Sequence, residues 1–194
     1  MTEQGRSGFS LIELLIVVAI IGIMVSVATP NLMAIRRGRE VRLGASELRN
    51  VLQFARSQAV VRGLEIGVKF VPRDGRWTYG LYQDGDGDGI RNADITSGVD
   101  RRIVAPPSVP EKLSVAFIGL PAVSIYVPDS SDVLDPAEGP IRFGGSFICS
   151  FSPLGSGTPG SIYITDGLKA AAAVRVLGSS GRIRIVLCRE AVAK

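Results

Sequence analysis

Gly8-Phe9-Ser10-Leu11-Ile12-Glu13-Leu14-Leu15-Ile16-Val17-Val18-Ala19-Ile20-Ile21-Gly22-Ile23-Met24-Val25-Ser26-Val27-Ala28 is the stretch on which the reading of this chain turns. Between Phe9 and Ala28 it carries a single formal charge, Glu13, in an otherwise apolar run. About 20 such residues at 1.5 Å each rise roughly 30 Å, the thickness of a bilayer's hydrocarbon core. A transmembrane helix is therefore expected, with the anchor over residues 9–28. A carboxylate inside such a segment is costly unless something pairs with it. Either Glu13 snorkels to the interface or it awaits a cationic partner.

A secretory signal peptide is the first competitor. Its usual form has a basic leader, a shorter apolar core and a small-x-small cleavage site after that core. Here the leader holds Glu3 and Arg6, with no net charge, and Ala28-Thr29-Pro30 makes a poor site. Processing is expected to leave the apolar segment on the mature chain.

The run GFSLIELLIVVAIIGI closely resembles the N-terminal signature of type IV prepilins and type II secretion pseudopilins. The resemblance implies a leader over residues 1–8, cut between Gly8 and Phe9 by a dedicated prepilin peptidase that also N-methylates the new terminus. Glu13 then stands where the family places its glutamate, and Pro30 where many pilins kink the helix. The new ammonium on Phe9 lies one helical turn from Glu13. A carboxylate that reaches a neighbour's terminus sets axial register as well as adding stability, since an unpaired member in a low-dielectric bundle costs several kcal/mol.

The composition fits one helix and one globular domain. The chain has 194 residues, a formal charge of +4 and no histidine, which excludes His-based metal sites and His-dependent triads. A pI near 9.4 permits contact with anionic polymers or lipid head groups without requiring it. The two cysteines, Cys149 and Cys188, fit no zinc or redox spacing. They form one bridge or stay as two buried thiols that fill space. Topology brings a conflict. Arg36, Arg37, Arg39 and Arg42 follow the apolar segment, so the positive-inside rule keeps the C-terminal domain in the cytoplasm. The prepilin resemblance implies the opposite: a single-pass protein of the inner membrane with that domain in the periplasm.

Beyond the anchor, Ala45, Leu48, Leu52, Ala55 and Ala59 recur at spacings of three and four and predict an apolar helical stripe. The helix is expected over residues 9–62, ending at Gly63. The domain over 63–194 is expected to be β-rich, giving an α+β, type IV pilin-like fold in which the long helix packs on an antiparallel sheet. Ile66 to Phe70 and Trp77 to Tyr82 read as a hairpin about the turn Pro72-Arg73-Asp74-Gly75. Seven prolines between residues 96 and 140 favour edge strands and irregular connections. In that region Leu113 to Ile118 and Val123 to Val127 are short strand candidates, and Ser130 to Gly139 is an acidic surface loop. Ile141 to Phe151, Ser161 to Thr165, Ala172 to Leu177 and Arg182 to Cys188 carry the remaining strand signal.

Two stretches carry candidate chemistry. Asp84-Gly85-Asp86-Gly87-Asp88-Gly89 opens like an EF-hand-type calcium loop, with carboxylates at alternate positions on glycine-rich backbone. Such a loop needs a carboxylate at its twelfth position, where Ile95 stands. Asp94 falls one place early, and Asp100 reaches back only through a wider loop. Asp84, Asp86, Asp88 and Asp94 are therefore either calcium ligands or a solvated acidic turn. The C-terminal layout, FSPLG, then GSIYITDG, then AVRVLGSSGRIRIV, resembles the GspH/FimT-type group of minor pseudopilins and pilins. Gly181-Arg182-Ile183-Arg184 is similar to the GRxR pattern associated in FimT-like pilins with DNA contact. Arg182 and Arg184 share a strand face that Arg189 could extend, and a row of guanidinium groups binds phosphates without reading bases. The other reading is an exposed polar face that keeps the domain soluble.

No catalytic constellation is visible, so an enzyme is not expected. The resemblance implies a minor pseudopilin in a type II secretion pseudopilus. The alternative is a FimT/FimU-like minor pilin, in which contact with DNA is a further role. Its partners would be other pseudopilins or pilins, the prepilin peptidase and N-methyltransferase, an assembly platform and inner-membrane lipid.

Overall fold

The computed structural model describes residues 10–103 and 116–191, with backbone alone for 27–35. The leader, Gly8 and Phe9 lie outside the described residues. One helix, α1 (Leu11–Arg62), opens the fold and is 52 residues long. The chain divides into two compact units, residues 1–37 and 38–194.

In the first unit α1 presents apolar side chains to its surroundings: Leu11 is 79% exposed, Ile12 66% and Met24 67%. Glu13 is exposed in the first turn. Among the described residues no helix is long and apolar enough to cross a membrane. This overturns the transmembrane anchor expected over residues 9–28, and with it the single-pass inner-membrane placement. The stretch carries the Glu13 carboxylate in its first turn, a group that is costly in hydrocarbon.

The second unit begins at Gly38. Its later turns of α1 bury one stripe: Val41, Ala45, Leu48, Val51, Leu52, Ala55 and Ala59 are each at most 1% exposed. The helix ends at Gly63, whose positive φ of 67° turns the chain towards the first strand. β1 (Ile66–Arg73) and β2 (Arg76–Gln83) form an antiparallel hairpin. Asp74 and Gly75 at its tip both have positive φ, 51° and 73°, as a two-residue turn matched to strand twist requires. A short helix, α2 (Asn92–Ser97), then leads to β3 (Arg101–Ile103).

The remaining strands are short at first and longer towards the C-terminus. They are β4 (Phe117–Ile118), β5 (Ile125–Tyr126), β6 (Val133–Leu134), β7 (Ile141–Arg142), β8 (Ile148–Phe151), β9 (Gly160–Thr165), β10 (Ala171–Leu177) and β11 (Arg182–Leu187). One sheet has the order β3-β2-β1-β8; a second has β11-β10-β9-β4, with β7 also on β9; β5 and β6 form a separate pair. Every pairing between the strands is antiparallel.

The α1 stripe is the common floor of both large sheets. Val68, Phe70 and Phe151 from the first sheet and Ile162, Ile164 and Val174 from the second join it in one apolar cluster. Alternation along β9 and β10 sends Tyr163, Ala171 and Ala173 to the opposite face, where Ile125 and Leu134 cover them in a second cluster.

Two local expectations change, and one left open is decided. The continuous strand expected over Ile141 to Phe151 is broken into β7 and β8, with Gly144 and Phe147 at positive φ. Phe147 holds that conformation with its ring 5.4 Å from Trp77 and its carbonyl accepting from the Phe70 amide. Val133–Leu134, inside the stretch read as an acidic loop, is a strand because Leu134 is buried against Ile125. Cys149 and Cys188 form no bridge and are free thiols. Cys149 sits in the first cluster and Cys188 against the second, so the five-stranded sheet separates them. Burial pushes the Cys149 thiol far above its ordinary pKa; it pushes Cys188 up to about 11, partly offset by the Ala173 amide.

Truncating the floor should loosen both sheets together. Leu52→Ala is expected to lower the unfolding free energy by about 2–5 kcal/mol. Leu154→Ala, at a side chain 96% exposed, should change it by less than about 0.5 kcal/mol. Equilibrium urea denaturation of the two variants checks the contrast.

Candidate functional site

The acidic loop leaves β2 at Asp84, whose amide donates to the Glu65 carbonyl at 3.0 Å and so ties the loop to the end of α1. Asp84 is buried. One of its carboxylate oxygens accepts from the amides of Asp86 (3.2 Å) and Gly87 (2.8 Å), and the other from Gly89 (3.1 Å). Burial by itself raises the Asp84 pKa. The amides of Gly87, Gly89 and Asp86, with the Asp86 side chain, outweigh that and hold it below the ordinary carboxylate range.

Asp100 plays a matching part, reaching back through the wider loop to backbone amides. Its carboxylate is buried and accepts from the Gly85 amide at 3.3 Å and the Arg91 amide at 3.0 Å. It closes the loop through backbone, from the far end, and not by presenting oxygen to the loop's centre. Asp94 opens the first turn of α2, where its backbone carbonyl accepts from Gly98 and Asp100.

The structure brings together Asp84, Asp86 and Asp88, each offering one oxygen within 4.8 Å of the others. That acidic cluster can hold a metal ion; Asp94 is not in it. Asp88 is exposed and pairs with Arg91. Desolvation and the hydrogen bond to Asp86 raise its pKa more than Arg91 lowers it. An open cleft of about 620 Å³, bounded by Leu64, Gln83, Val99 and Arg101, gives solvent a path to Asp84.

The arginine strand lies in the other sheet. Arg182 and Arg184 are exposed on one face of β11, and among the described residues neither side chain meets a carboxylate. Arg189 lies beyond the strand, where its carbonyl accepts from the Tyr126 amide and the chain has turned towards β5. Arg189 therefore does not extend the row. The turn before β11 is gripped from α1: Arg56 donates to the carbonyls of Gly155 and Ser180, each at 3.1 Å. Gly181 has a positive φ of 56°, and a Cβ there would sit 2.2 Å from the Gly155 carbonyl oxygen. The glycine of the GRIR stretch is thus required by packing.

Register adds what spacing alone concealed. Arg142 on β7 stands opposite Ser161 on β9, Ser161 opposite Arg175 on β10, and Arg175 opposite Arg184 on β11. Residues directly opposite share a face, so three arginines line up across four strands on the side away from α1. Arg175 donates to the Asp129 carboxylate at 2.8 Å and to the Pro128 carbonyl at 3.0 Å, and Arg142 pairs with Glu138.

A helix with an exposed apolar opening stretch, whose later turns floor two antiparallel sheets, defines the pilin-like class. The family model for the type II transport protein GspH matches residues 44–185, and that for the prokaryotic N-terminal methylation motif matches residues 4–29. The chain belongs to the GspH family, whose members are structural, non-catalytic subunits. Two curated relatives, each a "Fimbrial protein" of Pseudomonas aeruginosa, are 33% identical over 99 residues, or 50% of this chain. The chain spans 64% of the length of those relatives. No solved structure matches it.

The depressed Asp84 pKa has a sign. Its stabilisation is fully present above the ordinary carboxylate value of about 3.9 and is lost as the pH falls through the lower folded value. Asp84→Asn should therefore be less stable than the native chain at neutral pH. The gap should narrow as the pH falls below about 4, where the carboxyl of the unfolded chain takes up its proton, until the folded carboxylate is protonated as well. Thermal melts across that range test this; a gap independent of pH would contradict it.

Proposed function

We propose that the chain is a minor pseudopilin, a structural subunit in the pseudopilus of a type II secretion system that moves proteins across the outer membrane. The exposed apolar face of α1, from Leu11 to Val25, carries this reading. Its large side chains are 45–79% exposed, an apolar surface that calls for cover by the same face of neighbouring subunits. Residues 1–8 would be the leader, 9–62 the helix and 63–194 the β-rich domain. After cleavage, Glu13 would pair with the N-methylated terminus of Phe9 on a neighbour, setting register.

A FimT/FimU-like minor pilin of a type IV pilus is the second reading, favoured by the fimbrial relatives. In that setting Arg182 and Arg184 would touch DNA phosphates during uptake. In either setting the cluster Asp84, Asp86 and Asp88 would take calcium weakly, because Ile95 stands where a closing carboxylate is needed.

Mass spectrometry of the chain from cells with an active prepilin peptidase should find N-methyl-Phe9 at the terminus. An intact Met1, or a cut near Ala28, would sink the processing step. Glu13→Ala should leave the domain folded while cutting filament incorporation severalfold, as seen by crosslinking. For calcium, calorimetry at millimolar concentrations should give saturable binding that Asp86→Ala abolishes, whereas a flat titration would reject the site.

A further inference from the structure

We infer that the free edge of β11 is a docking site for an extended acidic segment of a neighbouring protein subunit, whose carboxylates seat on Arg184 and Arg182. The inference deepens the filament-subunit reading and rests on it for the identity of the neighbour. The chemistry of the occupant is set by the row itself. Of its three arginines, Arg175 already holds the Asp129 carboxylate and Arg142 already holds Glu138, both from the chain's own acidic connection between β5 and β7. The third, Arg184, has no carboxylate among the described residues, and Arg182 beside it on the same face has none either. The chain thus shows which group this row binds and leaves its outermost members open.

Geometry gives the segment its shape. β11 is the last strand in the order β11-β10-β9-β4, and among the described residues it pairs with β10 alone. Just past the strand the other edge is taken by Ser124 and Tyr126, which pair with Ala191 and Arg189; alongside Arg182–Leu187 no described backbone group bonds it, and that stretch presents donors and acceptors to an incoming strand. In an added strand, alternate side chains fall on the arginine face, about 6.6–6.8 Å apart along the strand. Arg182 and Arg184 are themselves alternate residues with the same repeat. A segment with acidic residues at alternate positions thus meets both guanidinium groups at once while its backbone pairs with β11. The fork-shaped guanidinium suits carboxylates bidentately, which fixes register as well as attraction.

The Arg56 grip and the close packing at Gly181 hold the start of this strand in place before any partner arrives. The site is therefore formed in advance, and binding need not order it.

Fluorescence anisotropy on the full chain tests this with a labelled synthetic peptide alternating Glu and Thr, a control alternating Lys and Thr, and a short duplex DNA. The Glu peptide should bind at low ionic strength and the Lys peptide should not. Arg182→Gln with Arg184→Gln should weaken the Glu peptide by roughly fivefold or more, with an unchanged thermal midpoint. Should that pair disturb folding, Arg184→Lys, which keeps the charge and loses the fork, should still weaken binding at least twofold. Asp129→Asn with Glu138→Gln frees two more guanidinium groups and should strengthen binding. Absence of Glu-peptide binding, indifference to the arginine substitutions, or displacement of the peptide by DNA at equal charge would each overturn the inference. The assay needs no filament, so failure here beside normal N-methylation and assembly removes the docking site alone. Peptide binding by a chain that never enters a filament removes the subunit reading instead.

Discussion

Burial of one stripe of α1 beneath two sheets is the constraint from which the remaining structure follows. Leu48, Leu52, Ala55 and Ala59 are fully buried, and the strands of both sheets face them with Val68, Phe70, Ile162, Ile164 and Val174. Burying one large aliphatic side chain contributes about 1.5–3 kcal/mol, so losing the stripe would remove most of the margin of a small domain. The alanines let strands come close; Gly44 is closer still, since a Cβ there would lie 2.8 Å from that of Ala116. With the helix as floor, β9 and β10 must send their other side chains outward. That outward face is where the second cluster and the arginine row form.

Carboxylates do two kinds of work around this frame. In the loop after β2, Asp84 and Asp100 accept backbone N–H groups and hold glycine-rich chain in a fixed curl, with Asp84 ionised more readily than an ordinary carboxyl. Across the second sheet, Asp129 and Glu138 neutralise arginines instead, largely in contact with water. The first kind costs desolvation and returns it through several hydrogen bonds at once. The second kind is worth little singly and can be exchanged for another anion. The same residue type thus builds a rigid loop in one place and a replaceable contact in another.

Local pattern made much of this readable. The α1 stripe was visible from spacings of three and four, the Asp74-Gly75 hairpin from its turn residues, and β9 to β11 from alternation between glycine-rich turns. The Asp84, Asp86 and Asp88 cluster was legible for the same reason, being contained in one short loop. What was hidden depends on partners distant in sequence. Nothing near Asp100 announces that its carboxylate will receive the Gly85 amide, and nothing near Arg142 says that it shares a row with Arg184. The strand β6 was hidden by its acidic neighbours, because what buries Leu134 and makes it a strand is its pairing with Ile125. The unbroken strand from Ile141 to Phe151 gave way to a bend that the Trp77 and Phe147 rings stabilise. The bilayer-length anchor rested on counting apolar letters, and among the described residues no helix is long and apolar enough to cross a membrane.

The Arg56 side chain has a mechanical consequence. One of its acceptors, the Gly155 carbonyl, belongs to the turn that leaves β8 in the first sheet; the other, the Ser180 carbonyl, belongs to the turn that enters β11 in the second. A single guanidinium on the helix is therefore a rivet through both sheets at the same level. Bonds arranged side by side share a shearing load, whereas bonds in series break one after another. Tension drawn along α1 would be divided here between the two sheets, so that neither peels from the helix before the other.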